Sequence, residues 1–221
     1  SNLYSFTSGN QYFGDSKNAG PRGGRGLLAP RAERPGAAAE IACAASLSAL
    51  AVALHAVKVP FPLMPALKYD LAGVPVALLA LASVRLSLAS LVALFVGVLA
   101  LGGDAVGASM KALAELTTAL PLALGRRLLS RPNPRLGGVL SVALATASRT
   151  GIMCLANYFV LPRWALAVGW ASSPEAAREL MVAAMPFVAI FNASLAAPVA
   201  ALSLGAFRAL ARAGVRPWAS L

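Results

Sequence analysis

The sequence predicts an all-α integral membrane protein with six transmembrane helices. Three observations carry this. Of 221 residues, 58% are hydrophobic and 12% are charged, against about 45–50% and about 25% in soluble domains. The apolar runs are continuous, which fits helices and not the period-two alternation of a membrane β-barrel. Beyond a polar stretch over residues 1–36, about 185 residues remain, room for about six spans of roughly 20 residues with short loops.

Each element follows in order. Residues 1–36 are rich in Gly, Ser, Asn, Pro and Arg, show no period and lack the apolar core of a signal peptide, so they predict a disordered polar arm. A membrane domain over residues 37–213 follows, then a short tail over 214–221. The first span is Ala37–Val57, with Glu40 near its start and His55 near its end. The second and third, about Leu71–Val84 and Leu86–Leu101, are short and separated at Arg85, which predicts two short helices joined by a tight turn. The fourth, Asp104–Leu124, carries Lys111 and Glu115, and the fifth, Leu136–Leu161, carries Arg149. The sixth, Leu180–Phe207, has no charge, and Pro198 predicts a kink in it.

The net charge of +11 has two readings. A soluble protein this basic suggests nucleic acid; a membrane protein concentrates Arg and Lys on its cytoplasmic loops. With a cytoplasmic N-terminus and six spans, 13 of the 19 basic residues fall inside, among them Arg85, Arg126, Arg127, Arg135, Arg208 and Arg212. Lys58, Lys68, Arg163 and Arg178 fall outside, and Lys111 and Arg149 lie within spans. This distribution predicts a multi-pass cell-membrane protein with both termini cytoplasmic and no nucleic-acid partner.

Polar side chains are costly in hydrocarbon and often functional. Lys111 and Glu115, four residues apart, share a helix face, either as a self-neutralising pair or as the polar wall of a ligand cavity. Arg149 is read as a snorkelling or interhelical cation. Asn157 and Asn192 are the carboxamides of the apolar region. They serve either as interhelical glue or as donor–acceptor pairs for the amide or imide edge of a heterocycle such as a flavin. The sequon Asn192-Ala193-Ser194 is discounted because it lies deep in an apolar run. Small-residue stripes mark close helix contacts at Ala45, Ala49 and Ala53, at Gly103 and Gly107, and at Ala193, Ala197 and Ala201. Cys43 and Cys154 have no metal or redox spacing.

No enzyme pattern stands out. Gly107-Ala108-Ser109-Met110 is loosely like the nucleophile box of an intramembrane serine protease, but the single His, His55, lies upstream at the far end of another span. No catalytic residue, metal site or bound cofactor is expected, and no phosphate-binding Walker A loop for ATP is present.

Several segments in the right order resemble the substrate-binding S component of energy-coupling factor (ECF) vitamin transporters, most of all its riboflavin branch. These are Ala45-Ser-Leu-Ser-Ala49 on the first span and Val59-Pro-Phe-Pro-Leu-Met-Pro-Ala-Leu-Lys68-Tyr-Asp70-Leu-Ala-Gly-Val-Pro75 after it. Leu155-Ala-Asn157-Tyr158-Phe159-Val160-Leu161-Pro162 and Pro186-Phe-Val-Ala-Ile-Phe-Asn192 complete the set, and the resemblance covers residues 37–213. It implies a six-helix bundle that binds riboflavin near the outer face under a first-loop lid. It implies Asn157 and Asn192 as flavin contacts, and Ala45 and Ala49 as the face that docks on the transmembrane T component. Two ATPase subunits would supply the energy. The chain departs from the branch at Leu195, where a Lys is common, in extra residues between Phe187 and Asn192, and at Ala72-Gly73, where Ser-Asp is common. Lys111 or Arg149 are candidates to replace that Lys. The alternatives are an S component for FMN or an unrelated vitamin, or a membrane scaffold that only packs partner helices.

Overall fold

A computed structural model of the chain describes residues 37–129 and 133–214. The polar arm 1–36 and residues 215–221 of the tail lie outside the described residues. Six helices are described: α1 (Ala37–Ala56), α2 (Gly73–Ala82), α3 (Val84–Ala100), α4 (Ala105–Leu129), α5 (Pro134–Ala167) and α6 (Pro174–Arg212). Between α1 and α2 a minimal antiparallel hairpin pairs β1 (Val59–Pro60) with β2 (Lys68–Tyr69), Val59 opposite Tyr69.

Local chemistry sets the boundaries. Asn133 caps α5, its side chain accepting the N–H groups of Arg135 and Leu136, with Pro134 at the first helical position. Ser173 caps α6 by accepting the Ala176 N–H, again with Pro in the first turn. Asp104 Oδ1 accepts the Gly107 N–H at 2.8 Å at the start of α4. Gly102 and Gly169, at φ 83° and 75°, take the left-handed turns that follow α3 and α5.

The two short helices are present, but the break between them is at Ser83, whose backbone is extended (φ −150°, ψ 116°), and Arg85 lies inside the first turn of α3. The fifth and sixth helices overrun the apolar segments that predicted them. Helix α5 continues through Pro162 to Ala167, and α6 starts six residues before Leu180 and runs to Arg212 through Pro186 and Pro198 as one helix. Capping Ser173 and Pro174 set that start, a signal that hydropathy alone does not weigh.

Helices α1, α5 and α6 are each long and apolar enough to cross a membrane. Helix α2 has ten residues, about 15 Å of helix, which is half a bilayer core. Eight of those ten are buried, so α2 is an inner element wrapped by the others. The largest apolar core joins α2, α3, α4 and the C-terminal half of α6 through Val76, Leu94, Leu122 and Leu204. Small residues permit the closest approaches: Gly97 faces Val52 between α3 and α1, and Gly125 faces Ser141 between α4 and α5. On α6 the inward positions are Ala196 and Ala200, with Ala193 and Ala197 half-buried and Ala201 exposed. Outside, large apolar side chains such as Ile41, Val92, Val139 and Val182 are more than half exposed, the surface of an all-helical membrane bundle.

Candidate functional site

At one end of the bundle the hairpin folds over α6. Phe61, Tyr69 and Phe191 form a triangle of rings with centroids 5.1–5.6 Å apart. The Tyr69 hydroxyl lies 2.7 Å from Ser194 Oγ. Beside this plug a cavity of about 440 Å³ opens between α1, the hairpin, α4, α5 and α6, within the range of about 300–1,000 Å³ typical of small-molecule sites. Met64, Met110, Met153, Trp164 and Phe191 supply apolar wall, the exposed Lys58, Lys68 and Asp104 supply charges, and six further polar residues, His55, Asp70, Lys111, Arg149, Asn157 and Asn192, line the cavity with them.

Five of those six polar residues, together with Glu115, form one continuous buried chain. His55 Nδ1 is 2.9 Å from Asp70 Oδ2. Asp70 Oδ1 accepts from Lys111 Nζ at 2.6 Å and from the Ala72 N–H at 3.0 Å. Lys111 Nζ also donates to Glu115 Oε1 at 2.6 Å. Glu115 Oε2 accepts from Arg149 Nη1 at 3.2 Å, and Arg149 Nε donates to Asn192 Oδ1 at 3.1 Å. Asn192 Nδ2 closes the chain on the Val188 carbonyl. The network spans four helices and the foot of the hairpin. Two cations, Lys111 and Arg149, face two carboxylates, Asp70 and Glu115, so their charges cancel. Burial pushes the Asp70 carboxyl upward, but the His55 and Lys111 contacts and the Ala72 N–H outweigh it and hold the group down to about 2.

Lys111, Asn157 and Asn192 thus line the cavity. Glu115 does not: it is 1% exposed, behind the wall, where it neutralises Lys111 and Arg149. Gly73 makes room for it, because a Cβ there would collide with the Glu115 carboxylate. Arg149, 2% exposed, is an interhelical cation and does not snorkel. Both Asn192 groups are engaged within the protein. Asn157 donates from Nδ2 to the Met153 carbonyl at 2.8 Å, and its Oδ1 has no partner among the described residues. Tyr158 and Phe159, next to it in the sequence, are each 53% exposed and point away from the cavity. Ser109 Oγ donates to the Ala105 carbonyl while His55 is held by Asp70, so the two are not paired. Among the described residues no metal-binding cluster occurs.

His55 and Asp70 were not singled out as site residues. The signal that could have found Asp70 is its place at the head of the second span, a carboxylate beside an apolar run that also has Lys111 and Arg149 to neutralise. Ala45 and Ala49 are exposed on α1 and line a shallow groove with Leu86, Ala89 and Ala93 of α3.

No family model matches the chain, and no curated protein matches it. Among solved structures, the fold is similar to that of the S component of a bacterial ECF transporter, with TM-score 0.64 and 23% sequence identity over 79% of this chain and 96% of that chain. The architecture is therefore that of an ECF S component, an all-helical membrane fold.

Proposed function

We propose that the chain is the substrate-binding membrane subunit of an ATP-driven ECF-type vitamin importer, and that its cargo is riboflavin. The observation that carries this is the cavity under the hairpin, at one end of a bundle with the S-component fold. The wall of Met, Trp and Phe suits a flat heterocycle, and Asn157 Oδ1 offers it an acceptor. The pairing of Lys111 and Arg149 with Asp70 and Glu115 leaves that network without net charge, which suits uncharged riboflavin against the inner wall. Lys58 and Lys68, which also line the cavity beside Asp104, are the cations a phosphate would meet there, so the comparison of riboflavin with FMN decides between the two ligands.

Transport would require a T component and two ATPase subunits. Ala45 and Ala49 are the proposed T-component face, open on α1. The positive-inside rule places the Arg-rich ends of α4 and α6 in the cytoplasm and the cavity outside, in the cell membrane. The chain has no catalytic role in this reading.

Colour and fluorescence test the assignment. The protein purified in detergent is expected to carry yellow ligand or to quench added riboflavin at near one-to-one stoichiometry. Absence of binding at micromolar riboflavin would refute the cargo. Replacing Ala45 or Ala49 with Trp is expected to abolish uptake and leave riboflavin binding intact; surviving uptake would remove that face from docking.

A further inference from the structure

At the end of α4 opposite the cavity, fifteen residues and about 22 Å along the helix from Lys111, a different set of charges gathers. Arg126 lies over the Phe207 ring of α6, its guanidinium carbon 4.2 Å from the centroid. It makes no hydrogen bond to any described residue, and its Nε is buried without a partner. The charges acting on it are those of Arg127 and Arg208, both cations. Arg208 crosses from α6 to α5, donating from Nη2 to the Pro134 carbonyl at 2.9 Å and passing so close over Gly138 that a Cβ there would strike it. The ends of α4 and α6 therefore hold three guanidiniums in one corner, against the start of α5. Among the described residues no carboxylate pairs with any of them, and no Asp or Glu stands in the sequence between Glu115 and Glu175 or after Glu179.

A half-buried guanidinium with like-charged neighbours and an idle fork of donors is matched by a phosphate, which takes two parallel N–H bonds. The surroundings specify the source. Leu128, Leu136 and Val139, beside the arginines, are 70%, 56% and 67% exposed. A ligand seated on the guanidiniums therefore lies with apolar side chains along its flank, the profile of a lipid with an anionic head and not of a small soluble anion. We infer that the Arg126–Arg127–Arg208 corner is a binding site for the phosphate headgroup of an anionic phospholipid in the leaflet on that side.

The test uses the full chain, purified from vesicles of equal parts phosphatidylglycerol and phosphatidylcholine with identical acyl chains. Retained lipid is counted by native mass spectrometry. Phosphatidylglycerol is expected to be retained over phosphatidylcholine by about tenfold, falling to within about twofold in Arg126→Gln/Arg208→Gln. Arg126→Lys, which keeps the charge and loses the fork, is expected to fall between them. If the double variant does not fold, as judged by circular dichroism, the single change at the exposed Arg208 serves instead. Equal retention of the two lipids by the wild type would overturn the site, as would undiminished selectivity in the folded variant. Complete displacement of the lipid by millimolar inorganic phosphate would overturn the lipid as its occupant.

Discussion

Arg149 on α5 and Arg126 on the neighbouring α4 are arginines of one bundle, and they are treated in opposite ways. Arg149 is 2% exposed and bonds to Glu115, Thr118 and Asn192. Arg126 has an aromatic ring, two like charges and no hydrogen bond to any described residue. Leaving a charge uncompensated in hydrocarbon costs several kcal/mol, so where the chain buries cations deeply it supplies the counter-charges itself. At the far end no described residue supplies one. The buried network at the cavity is thus balanced from within the chain, while the Arg126 corner is the one for which we propose a lipid phosphate.

The largest expected effect breaks the balanced network. Glu115→Ala leaves Arg149 and Lys111 sharing one carboxylate, and is expected to destabilise the fold by about 3–5 kcal/mol. Thermal unfolding in detergent measures it, and Arg126→Gln at the other end is expected to stay within about 1 kcal/mol of the wild type. Equal losses at both ends would erase the distinction.

Next come the two asparagines, which the sequence treats as equals and the structure does not. Asn157→Ala removes a free acceptor from the cavity wall and is expected to weaken riboflavin binding by about 1–3 kcal/mol with unfolding unchanged. Asn192→Ala also strands Arg149 Nε, so it is expected to lower both binding and thermal stability. Wild-type affinity in both variants would return them to packing roles. Gly73→Ala, which drives a methyl against the Glu115 carboxylate, is expected to cost about 1–3 kcal/mol without touching the cavity wall.

The smallest effect is in pH. The Asp70 carboxyl is held to about 2 in the folded protein, below the ordinary Asp value of about 3.9. A lowered folded value gives stability that is complete above the unfolded value and lost as pH falls through the folded one. Unfolding temperature should therefore be insensitive to Asp70 from neutral pH down to about 4 and fall below that. In Asp70→Asn this acid-side loss should shrink, and an unchanged acid limb would refute the role of Asp70 as the hub.

Much of the architecture is legible in the chain because hydropathy is local. Six apolar segments and the split near Arg85 follow from counting, although Ser83, one residue of extended backbone, sets the true break. The overruns of α5 and α6 escaped because caps at Asn133 and Ser173 and passage through Pro162 and Pro186 depend on neighbours that hydropathy ignores. In the site, the Lys111–Glu115 pair was legible from its spacing of four. The pairing of Arg149 with Glu115 and Asn192 links residues 34 and 43 apart in sequence. His55 and Asp70 meet only because the hairpin returns the chain to the end of α1. No local pattern encodes such meetings.

A side-by-side titration of the purified protein with riboflavin and FMN tests the central claim most directly. If the four buried charges cancel and the cavity receives a neutral flavin, riboflavin binds with a Kd at least about tenfold below that of FMN, a difference of about 1.4 kcal/mol. Equal affinities, or tighter binding of FMN, would contradict it.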